Sequence, residues 1–309
     1  MSLKILDYFT ELDETDFLIL KAIEDCMKIH STVKIDEIVK ITDFSQKFVN
    51  KRIGNLDKID IISAHRYEES YDHITLNYMG YDALALNVLV IKNILQGIGQ
   101  SIGIGKESNV FIGNLENNNN CALKFHKIGK TRFKSTRRKR VYFAKKNPMT
   151  RFEESSLNAQ REVFALKKLA GIIPVPHVYG SNRHLIAMEL IEGVELQNIL
   201  NLSEDTYKFI FEELLSYVKL SLNFNIIHGD LSPFNILIGE KNDTYKITVI
   251  DWPQFVELNH PNALDILIND INNLYLFFGK KTTIPTIDVE KFCLNLLNEA
   301  KKNLHIRNQ

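Results

Sequence analysis

Three polar residues in the last third of the chain have the types and spacing that metal-assisted phosphoryl transfer requires. Asp230 and Asn235 are separated by four residues on one short polar segment between two apolar runs. Asp251 follows 16 residues after Asn235, directly behind the apolar run 247–250. A carboxylate on such a segment orients an attacking hydroxyl or water, while an amide oxygen and a second carboxylate bind Mg²⁺ on the phosphates. We therefore expect transfer or hydrolysis of the γ-phosphate of ATP.

The spacing of Asp230 and Asn235 is also that of the catalytic loop of protein kinases, in which the Asp faces the substrate hydroxyl and the Asn binds metal. Taken alone, this spacing is weak evidence for a catalytic loop, because Asp and Asn are also common in turns and helix caps. An acid behind the next apolar strand makes it more specific, since kinases place a second metal ligand there. We predict Asp230 and Asp251 as catalytic residues, and Asn235 and Asp251 as ligands of Mg²⁺, with Mn²⁺ as an alternative ion.

A glycine-bearing segment upstream has the composition of a phosphate-binding turn. Gly103 and Gly105 are followed by Lys106 and Ser108. Glycine lets backbone N–H groups approach phosphate oxygens closely. A Walker A loop would need Ser or Thr after the lysine, where Glu107 stands, so a P-loop NTPase is disfavoured. We predict nucleotide binding at Gly103, Gly105, Lys106 and Ser108.

Lys124 lies in a predicted strand, residues 121–126, in which apolar and polar residues alternate. A strand lysine of this kind neutralises phosphate charge and needs an acidic partner to hold it. Glu162, in the next predicted helix, fits that role. Because each residue alone is more often a solvated surface charge, the prediction depends on their order along the chain.

The apolar segment 184–190 is predicted to be a strand that runs into a turn at Gly193. In a kinase such a strand leads to the hinge, whose backbone groups bind adenine. We therefore predict adenine contacts at Met188, Glu189 and Ile191. A plain core strand is the alternative for these residues.

The elements that must position these residues fall into three consecutive parts. Residues 1–96 show helical periodicity, followed by two short strands and another helix. This order predicts a winged helix-turn-helix domain. Strands with one helix predict the N-lobe of a kinase-like domain over 97–189, and helices predict its C-lobe over 190–309. The glycine cluster between residues 97 and 105 marks a domain boundary, a phosphate loop, or both. The expected fold class is α+β, with the winged helix-turn-helix domain followed by a bilobal protein-kinase-like domain.

Composition alone identifies no partner for this chain. Lys+Arg and Asp+Glu each total 38, so the net charge favours neither an acidic nor a basic ligand. The three cysteines are far apart and are typical of reduced, partly buried thiols. No apolar run approaches the roughly 20 residues that span a bilayer. We expect a soluble cytoplasmic protein with no membrane partner.

Taken together, these motifs resemble the RIO family of atypical Ser/Thr protein kinases, and specifically its second subfamily, which has a winged helix before the kinase domain. The segments that carry the resemblance are 104–108, 123–131, 182–184, 188–191 and 251–254. The resemblance implies Ser/Thr kinase or ATPase activity with ATP and Mg²⁺, autophosphorylation, and a phospho-aspartate at Asp251. It also implies a role in maturing the small ribosomal subunit, whose precursor particle would supply rRNA and ribosomal proteins as partners.

Two residues depart from the family pattern. Trp252 stands where the family usually has Phe, and Asp-Trp paired with His-Gly-Asp also occurs in small-molecule phosphotransferases similar to aminoglycoside or choline kinases. Arg132 stands where a small hydroxyl residue is expected, which leaves Thr131, Ser135 and Thr136 as candidate autophosphorylation sites. A small-molecule phosphotransferase and a non-catalytic RNA-binding adaptor therefore remain alternative functions.

A strongly basic stretch indicates nucleic-acid contact. Residues 127–146 hold ten Lys or Arg and no acidic residue, a pattern that suits a phosphate backbone, although a solvated loop is the alternative. The N-terminal 90 residues carry ten Lys or Arg against sixteen Asp or Glu, and their third predicted helix is locally basic. Protein contact therefore competes with RNA binding by this domain. The predicted nucleic-acid contacts are Arg137, Arg138, Lys139, Arg140, Lys51 and Arg52.

Overall fold

The computed structural model describes residues 4–68, 70–105, 107–127, 151–241 and 244–307. The chain forms two compact units. The first unit comprises Met1–Ser156 and Gly180–Ala187, and the second comprises Leu157–Tyr179 and Met188–Gln309. The bounds of the three domains expected from the sequence stay a prediction. Within the described residues, no helix is long and apolar enough to cross a membrane.

The N-terminal part of the first unit has the element order that the sequence predicts: three helices, a β-hairpin and a fourth helix. Two short 3-10 turns, Lys4–Asp7 and Phe9–Glu11, precede them. The hairpin strands are antiparallel, and Val33 forms a further bridge with Ile74. The elements are α1 Glu14–Met27, α2 Ile35–Thr42, α3 Gln46–Lys58, β1 Ile62–Tyr67, β2 Ser70–Leu76 and α4 Tyr78–Ile91.

Side-chain caps determine where these helices begin. The Asp13 carboxylate accepts the backbone N–H of Asp16, and the Asp16 carboxylate accepts that of Asp13, which forms a capping box at α1. Ser45 and Asn77 likewise accept backbone N–H groups in the first turns of α3 and α4. These N–H groups have no partner inside the helix. The starts of these helices are therefore encoded locally in the sequence.

The rest of the first unit contributes to a five-stranded sheet of order β3-β4-β5-β7-β6, in which β3, β4 and β5 are antiparallel neighbours. Its strands are β3 Leu95–Ile104, β4 Ser108–Leu115, β5 Asn120–His126, β6 Val178–Asn182 and β7 Leu185–Glu189. Within the first unit, the backbone N–H of His126 donates to the carbonyl of His184 at 2.9 Å. This sheet carries several of the residues predicted to bind nucleotide.

Two features of this sheet differ from the sequence expectation. Gly97, Gly99 and Gly103 lie inside β3 rather than in a boundary loop, and the pairing of β3 with β4 shifts register repeatedly along its length. β5 is buried at every residue from 121 to 126 instead of at alternate residues. A strand that is covered on both faces shows no burial alternation, so its polar residues also lie inside the protein.

An ion pair and a side-chain hydrogen bond join the N-terminal helices to the segment between β6 and β7. The guanidinium of Arg183 donates to both carboxylate oxygens of Glu24 in α1, at 2.6 and 2.7 Å. The Nε2 atom of His184 lies 2.7 Å from the Asp82 carboxylate in α4. Burial opposes ionisation of Glu24, but hydrogen bonds from Arg183 and Lys21 outweigh it and lower the pKa of this carboxyl.

The second unit is mainly helical and contains a small three-stranded sheet. The sheet has the order β10-β9-β8, with antiparallel pairing throughout. Short 3-10 turns cover Leu196–Asn198 and Pro233–Asn235. The larger elements are α5 Arg151–Leu169, whose residues 151–156 belong to the first unit, β8 Val194–Glu195, α6 Glu204–Asn223, β9 Ile236–Lys241, β10 Thr244–Val249, α7 Ala263–Phe278 and α8 Val289–Arg307. The single helix that the sequence predicts among the N-lobe strands and the helices that it predicts for the C-lobe are thereby confirmed.

Candidate active site

The β9–β10 hairpin brings Asn235 and Asp251 to the same end of the small sheet. Ile236 opens β9 and pairs with Val249, which closes β10. The backbone N–H of Ile250 then donates to the carbonyl of Asn235 at 2.9 Å. Asp251 follows with a φ of +65°, a left-handed conformation that is uncommon for a residue with a side chain. The pairing register therefore places the two predicted metal ligands close together.

Asp230 lies on a loop whose path requires glycine at the preceding position. Gly229 has a φ of +81°, and a Cβ atom there would lie 2.5 Å from the carbonyl oxygen of Gln254. Only glycine combines this conformation with so close an approach of two backbones. The loop is therefore packed directly on the segment that follows Asp251.

A buried carboxylate that the sequence analysis missed holds this loop. Asp270 in α7 accepts the backbone N–H of Gly229 at 2.8 Å and that of Leu231 at 2.9 Å. The amide of Asn273, also in α7, donates to the carbonyl of Leu231 at 2.9 Å. Asp270 is only 3% exposed. Since these bonds flank Asp230 on both sides, α7 determines the backbone position of the predicted catalytic residue.

The sequence did contain a signal for Asp270. The buried residues of α7 recur at helical spacing, and Asp270 takes one of their positions beside Leu267, Ile271 and Leu274. A charged group on an apolar helix face is costly unless it is hydrogen-bonded. An acidic residue at a core-facing position of a helix therefore indicates a buried carboxylate that must accept hydrogen bonds from nearby donors.

His228 links the loop to the strand that carries Asp251. Its Nδ1 atom accepts the backbone N–H of Asp230 at 3.2 Å, and its Nε2 atom lies 3.0 Å from the carbonyl of Ile250. Because one nitrogen accepts and the other faces a carbonyl, the ring has its proton on Nε2. Its ring packs on Trp252 with centroids 4.3 Å apart.

Trp252 is a core residue in this structure. It is 2% exposed, and its indole N–H donates to the carbonyl of Val249 at 3.1 Å. A buried indole needs such a partner, which the end of β10 supplies. The departure from the phenylalanine usual in the family is therefore accommodated by packing beside His228.

Two side-chain amides complete the surroundings of Asp230. The Asn235 amide nitrogen donates to the Asp230 carbonyl at 2.8 Å, and the Gln254 amide nitrogen donates to the Asp230 carboxylate at 3.2 Å. Since its nitrogen faces Asp230, the Asn235 amide presents its oxygen as the ligand atom. One amide oxygen and the Asp251 carboxylate fit a Mg²⁺ ion that completes its coordination with phosphate oxygens and water. Among the described residues, no group of three or more His, Cys, Asp or Glu forms a metal cage.

The first unit holds the predicted phosphate-binding residues. The Gly105 N–H donates to the Ser108 carbonyl at 2.8 Å and closes the turn between β3 and β4. Val110 in β4 pairs with Gly103 on one side and with Lys124 on the other. Directly paired residues of antiparallel strands point to the same face. Gly103, Val110 and Lys124 therefore form one row across three strands, whereas Lys106 lies outside the described residues.

The remaining predicted contacts are in the second unit. Glu162 is buried in α5, and its pairing with Lys124 of the first unit stays a prediction. Glu189 exchanges hydrogen bonds with the backbone of His177, through its own N–H at 2.7 Å and its carboxylate at 3.2 Å. Met188 is buried and Ile191 is half-buried. Their contacts with adenine stay a prediction.

The predicted nucleic-acid residues have different surroundings. Lys51 is exposed on α3. Arg52 instead donates to the carboxylates of Asp13 and Asp16 at the start of α1, so its charge already has acidic partners inside the domain. Arg137, Arg138, Lys139 and Arg140 lie outside the described residues, as do the candidate autophosphorylation sites.

Family models match most of the chain. A RIO domain matches residues 109–292, and a Rio2 N-terminal domain matches residues 9–92. A RIO-type serine/threonine-protein kinase Rio2 from Methanocaldococcus jannaschii is 38% identical over 82% of this chain and 92% of its own length. The Rio2 kinase of Caenorhabditis elegans is 32% identical over 91% of this chain, which spans about half of that relative, 52%.

A solved structure agrees with these matches. The Rio2 kinase from Chaetomium thermophilum, in an ADP/Mg²⁺-phosphoaspartate complex, superposes with a TM-score of 0.81 at 27% identity and covers 98% of this chain and 97% of its own. The RIO model alone covers more than half of the chain. The chain therefore belongs to the RIO family of serine/threonine-protein kinases, atypical kinases that in this case have a Rio2-type N-terminal domain.

Proposed function

We propose that this chain transfers the γ-phosphate of ATP, in the presence of Mg²⁺, to a Ser or Thr hydroxyl or to water. The observation that carries the proposal is the cluster of Asp230, Asn235 and Asp251 at one end of the β9–β10 hairpin. Asp270 holds the backbone of this cluster through two hydrogen bonds. Phosphoryl transfer depends on positioning and on charge neutralisation, and this rigid set of oxygens supplies both.

Each residue has a distinct role in this proposal. Asp230 orients the attacking hydroxyl or water and takes up its proton. Asn235 and Asp251 hold Mg²⁺, which neutralises the charge of the phosphates when bound. In the first unit, the glycine turn and Lys124 bind phosphate oxygens, and Lys124 lies on a row of strand residues with Gly103 and Val110.

We also propose an aspartyl phosphate on Asp251, by analogy with the phosphoaspartate in the Chaetomium thermophilum complex. A carboxylate oxygen attacks the γ-phosphorus, and the bond from phosphorus to the bridging oxygen of ADP breaks. Water, oriented by Asp230, then attacks the same phosphorus. The Asp251 oxygen leaves, inorganic phosphate is released, and the carboxylate is restored for another cycle.

A single-turnover experiment with γ-labelled ATP tests these steps. Hydroxylamine-sensitive label on the protein supports the aspartyl phosphate, acid-stable label supports transfer to a hydroxyl, and prompt free phosphate supports hydrolysis. Asp251→Ala and Lys124→Ala should each lower the single-turnover rate by about 100-fold or more. Lys92→Ala, an exposed lysine of the first unit, is the matched control. Full activity in the Asp251 or Lys124 variant would contradict that residue's role.

Membership in a protein-kinase family argues against the two alternative functions, a small-molecule phosphotransferase and a non-catalytic RNA-binding adaptor. A small-molecule phosphotransferase was favoured by Trp252, which is a buried core residue here. A non-catalytic adaptor would not need the complete set of Asp230, Asn235 and Asp251. Screening sugars, amino alcohols and aminoglycosides for stimulated ADP release separates the first alternative from a protein kinase or ATPase.

We propose the precursor of the small ribosomal subunit as the partner, with contacts to rRNA, and the cytoplasm as the location. The described part of the N-terminal domain supports an RNA-facing surface formed by α3 and the β1–β2 hairpin. These elements adjoin, since the Asn50 amide oxygen accepts the Tyr71 N–H at 3.3 Å. The exposed basic and aromatic residues of this surface include Lys47, Phe48, Lys51, Lys58, His65, Arg66, Tyr67 and His73.

Salt dependence tests this surface. Binding of small-subunit rRNA should weaken steeply with salt, and Lys51→Ala should lower the slope of log K against log salt by about one. Lys28→Ala removes an exposed lysine that is paired with Asp25 in α1, and it should leave the slope unchanged. Equal slopes for the Lys51 variant and wild type would assign RNA binding to another part of the chain.

A further inference from the structure

One arginine of α5 clamps the segment that follows the predicted metal ligand Asp251. The Nε atom of Arg161 donates to the carbonyl of Pro253 at 2.9 Å, and its terminal nitrogen donates to the carbonyl of Phe255. The guanidinium also lies 4.6 Å from the centre of the Phe255 ring. All of these residues belong to the second unit. The two carbonyls on either side of Gln254 are therefore held by a single side chain.

Gln254 in turn contacts the loop of the catalytic carboxylate in two ways. Its side-chain nitrogen donates to the Asp230 carboxylate at 3.2 Å. Its backbone carbonyl packs so closely on Gly229 that a Cβ atom there would approach to 2.5 Å. The residue is half-buried. Gln254 is therefore fixed at its backbone by Arg161 and Gly229, while its amide reaches Asp230.

We propose that Gln254 is a positioning residue for the Asp230 carboxylate, and that Arg161 acts through Gln254 to hold that carboxylate from α5. Asp270 and His228 fix the backbone of the loop, but they do not determine the rotation of the Asp230 side chain. The Gln254 amide donates to one carboxylate oxygen and thereby orients the other. This inference assumes the proposed phosphoryl transfer, in which the orientation of Asp230 affects the chemical step.

The hydrogen bond from Arg161 to Pro253 joins two parts of the second unit that are distant in sequence. Arg161 and Pro253 are 92 residues apart. Arg161 also neighbours Glu162, the predicted partner of the phosphate-binding lysine. A displacement of α5 would thus reach the catalytic carboxylate through Gln254, in addition to any effect at Glu162.

The test compares variants that change the amide donor while keeping the shape of the side chain. Gln254→Glu is nearly isosteric but removes the N–H donor, and Gln254→Ala removes the whole contact. Both should lower kcat by about 10- to 100-fold, as expected for a misplaced reacting group, with KM for ATP changed less than about twofold. Lys167→Ala, an exposed residue of α5, is the matched control and should behave as wild type.

Arg161 is tested by a double-mutant cycle. Arg161→Lys keeps the charge but loses the planar two-carbonyl contact, so it should lower kcat without a large change in KM. If Arg161 acts through Gln254, the double variant should be no slower than Gln254→Ala alone. Thermal unfolding and ADP titration of each variant confirm that the fold and nucleotide binding persist.

The kcat values of the Gln254 and Arg161 variants test the two roles separately. Wild-type kcat in Gln254→Glu would overturn the positioning role, and so would a loss confined to KM. Wild-type kcat in Arg161→Lys, or effects that multiply in the double variant, would overturn the action of Arg161 through Gln254. Absence of Mg²⁺-dependent phosphoryl transfer in the wild-type protein would instead refute the proposed function, which separates that failure from failure of the inference.

Discussion

The carboxylate of Asp270 accepts the backbone N–H of Gly229 at 2.8 Å, across 41 residues of sequence. The acceptor belongs to a long helix, α7, and the donor precedes the predicted catalytic residue Asp230. A rigid element thus positions a reactive loop through a main-chain hydrogen bond. Such a bond is independent of the side chains that carry the chemistry.

Replacing Asp270 should reduce both stability and activity. Asp270→Ala leaves buried N–H groups without their acceptor, and each costs about 1–3 kcal/mol. We expect a lower unfolding midpoint in a thermal scan and a kcat reduced by more than tenfold, as about 1.4 kcal/mol of lost positioning would produce. Asp265→Asn changes an exposed acid in the same helix and should alter neither quantity. An unchanged kcat in Asp270→Ala would show that the loop holds its position without this helix.

Substitution of Gly229 should combine backbone strain with a steric clash. Gly229 has a φ of +81°, and an added Cβ would meet the Gln254 carbonyl. Gly171 has a similar φ of +75° but no atom within 4 Å of the added Cβ. Gly171→Ala therefore measures strain alone, about 1–2 kcal/mol. Gly229→Ala should lower the thermal midpoint clearly further and abolish most activity, and equal midpoints for the two variants would rule out the clash.

Asn235 should control the requirement for metal. Asn235→Ala removes a ligand oxygen, and the Mg²⁺ concentration at half-maximal rate should rise by at least about tenfold. Asn235→Asp keeps an oxygen ligand and should recover much of the metal affinity, although it loses the N–H donated to Asp230. Asn269→Ala, exposed on α7, serves as the control. A Mg²⁺ requirement that is unchanged in Asn235→Ala would exclude this residue as a ligand.

The Glu24–Arg183 ion pair should make the first unit sensitive to acid. The pKa of Glu24 is lowered in the folded protein, so its contribution to stability is present at neutral pH. That contribution is lost as pH falls below roughly 4.3, the value of an unfolded glutamate, and towards the lowered folded pKa.

Thermal unfolding followed across this pH range tests the ion pair. Glu24→Gln should destabilise the protein at pH 7, and its midpoint should then fall less steeply than that of wild type towards pH 3. Glu14→Gln alters an exposed acid of the same helix and should retain the wild-type pH dependence. Parallel pH profiles for Glu24→Gln and wild type would assign the acid sensitivity to other carboxylates.

Local sequence patterns predicted most of the helices and indicated which residues should do the chemistry. The capping box of Asp13 and Asp16 and the cap at Ser45 mark helix starts without help from the rest of the chain. The spacing of Asp230, Asn235 and Asp251 indicated phosphoryl transfer, because these residues flank one hairpin. The strands of that hairpin pair from Lys241 with Thr244 to Ile236 with Val249, and this pairing brings the two predicted metal ligands together.

Other relationships depend on contacts between distant parts of the chain. The sequence alone determined the order of elements in the N-terminal domain, most of the later helices, the family resemblance and the residues expected to do the chemistry, since periodicity, caps and motif spacing are local properties. Tertiary structure decided that Asp270 holds the catalytic loop, that Gln254 meets Asp230, and that Arg52 pairs inside its own domain. The physical reason is that a hydrogen bond between residues tens of positions apart depends on how the helices pack. Such packing does not follow from any local or periodic pattern in a single sequence.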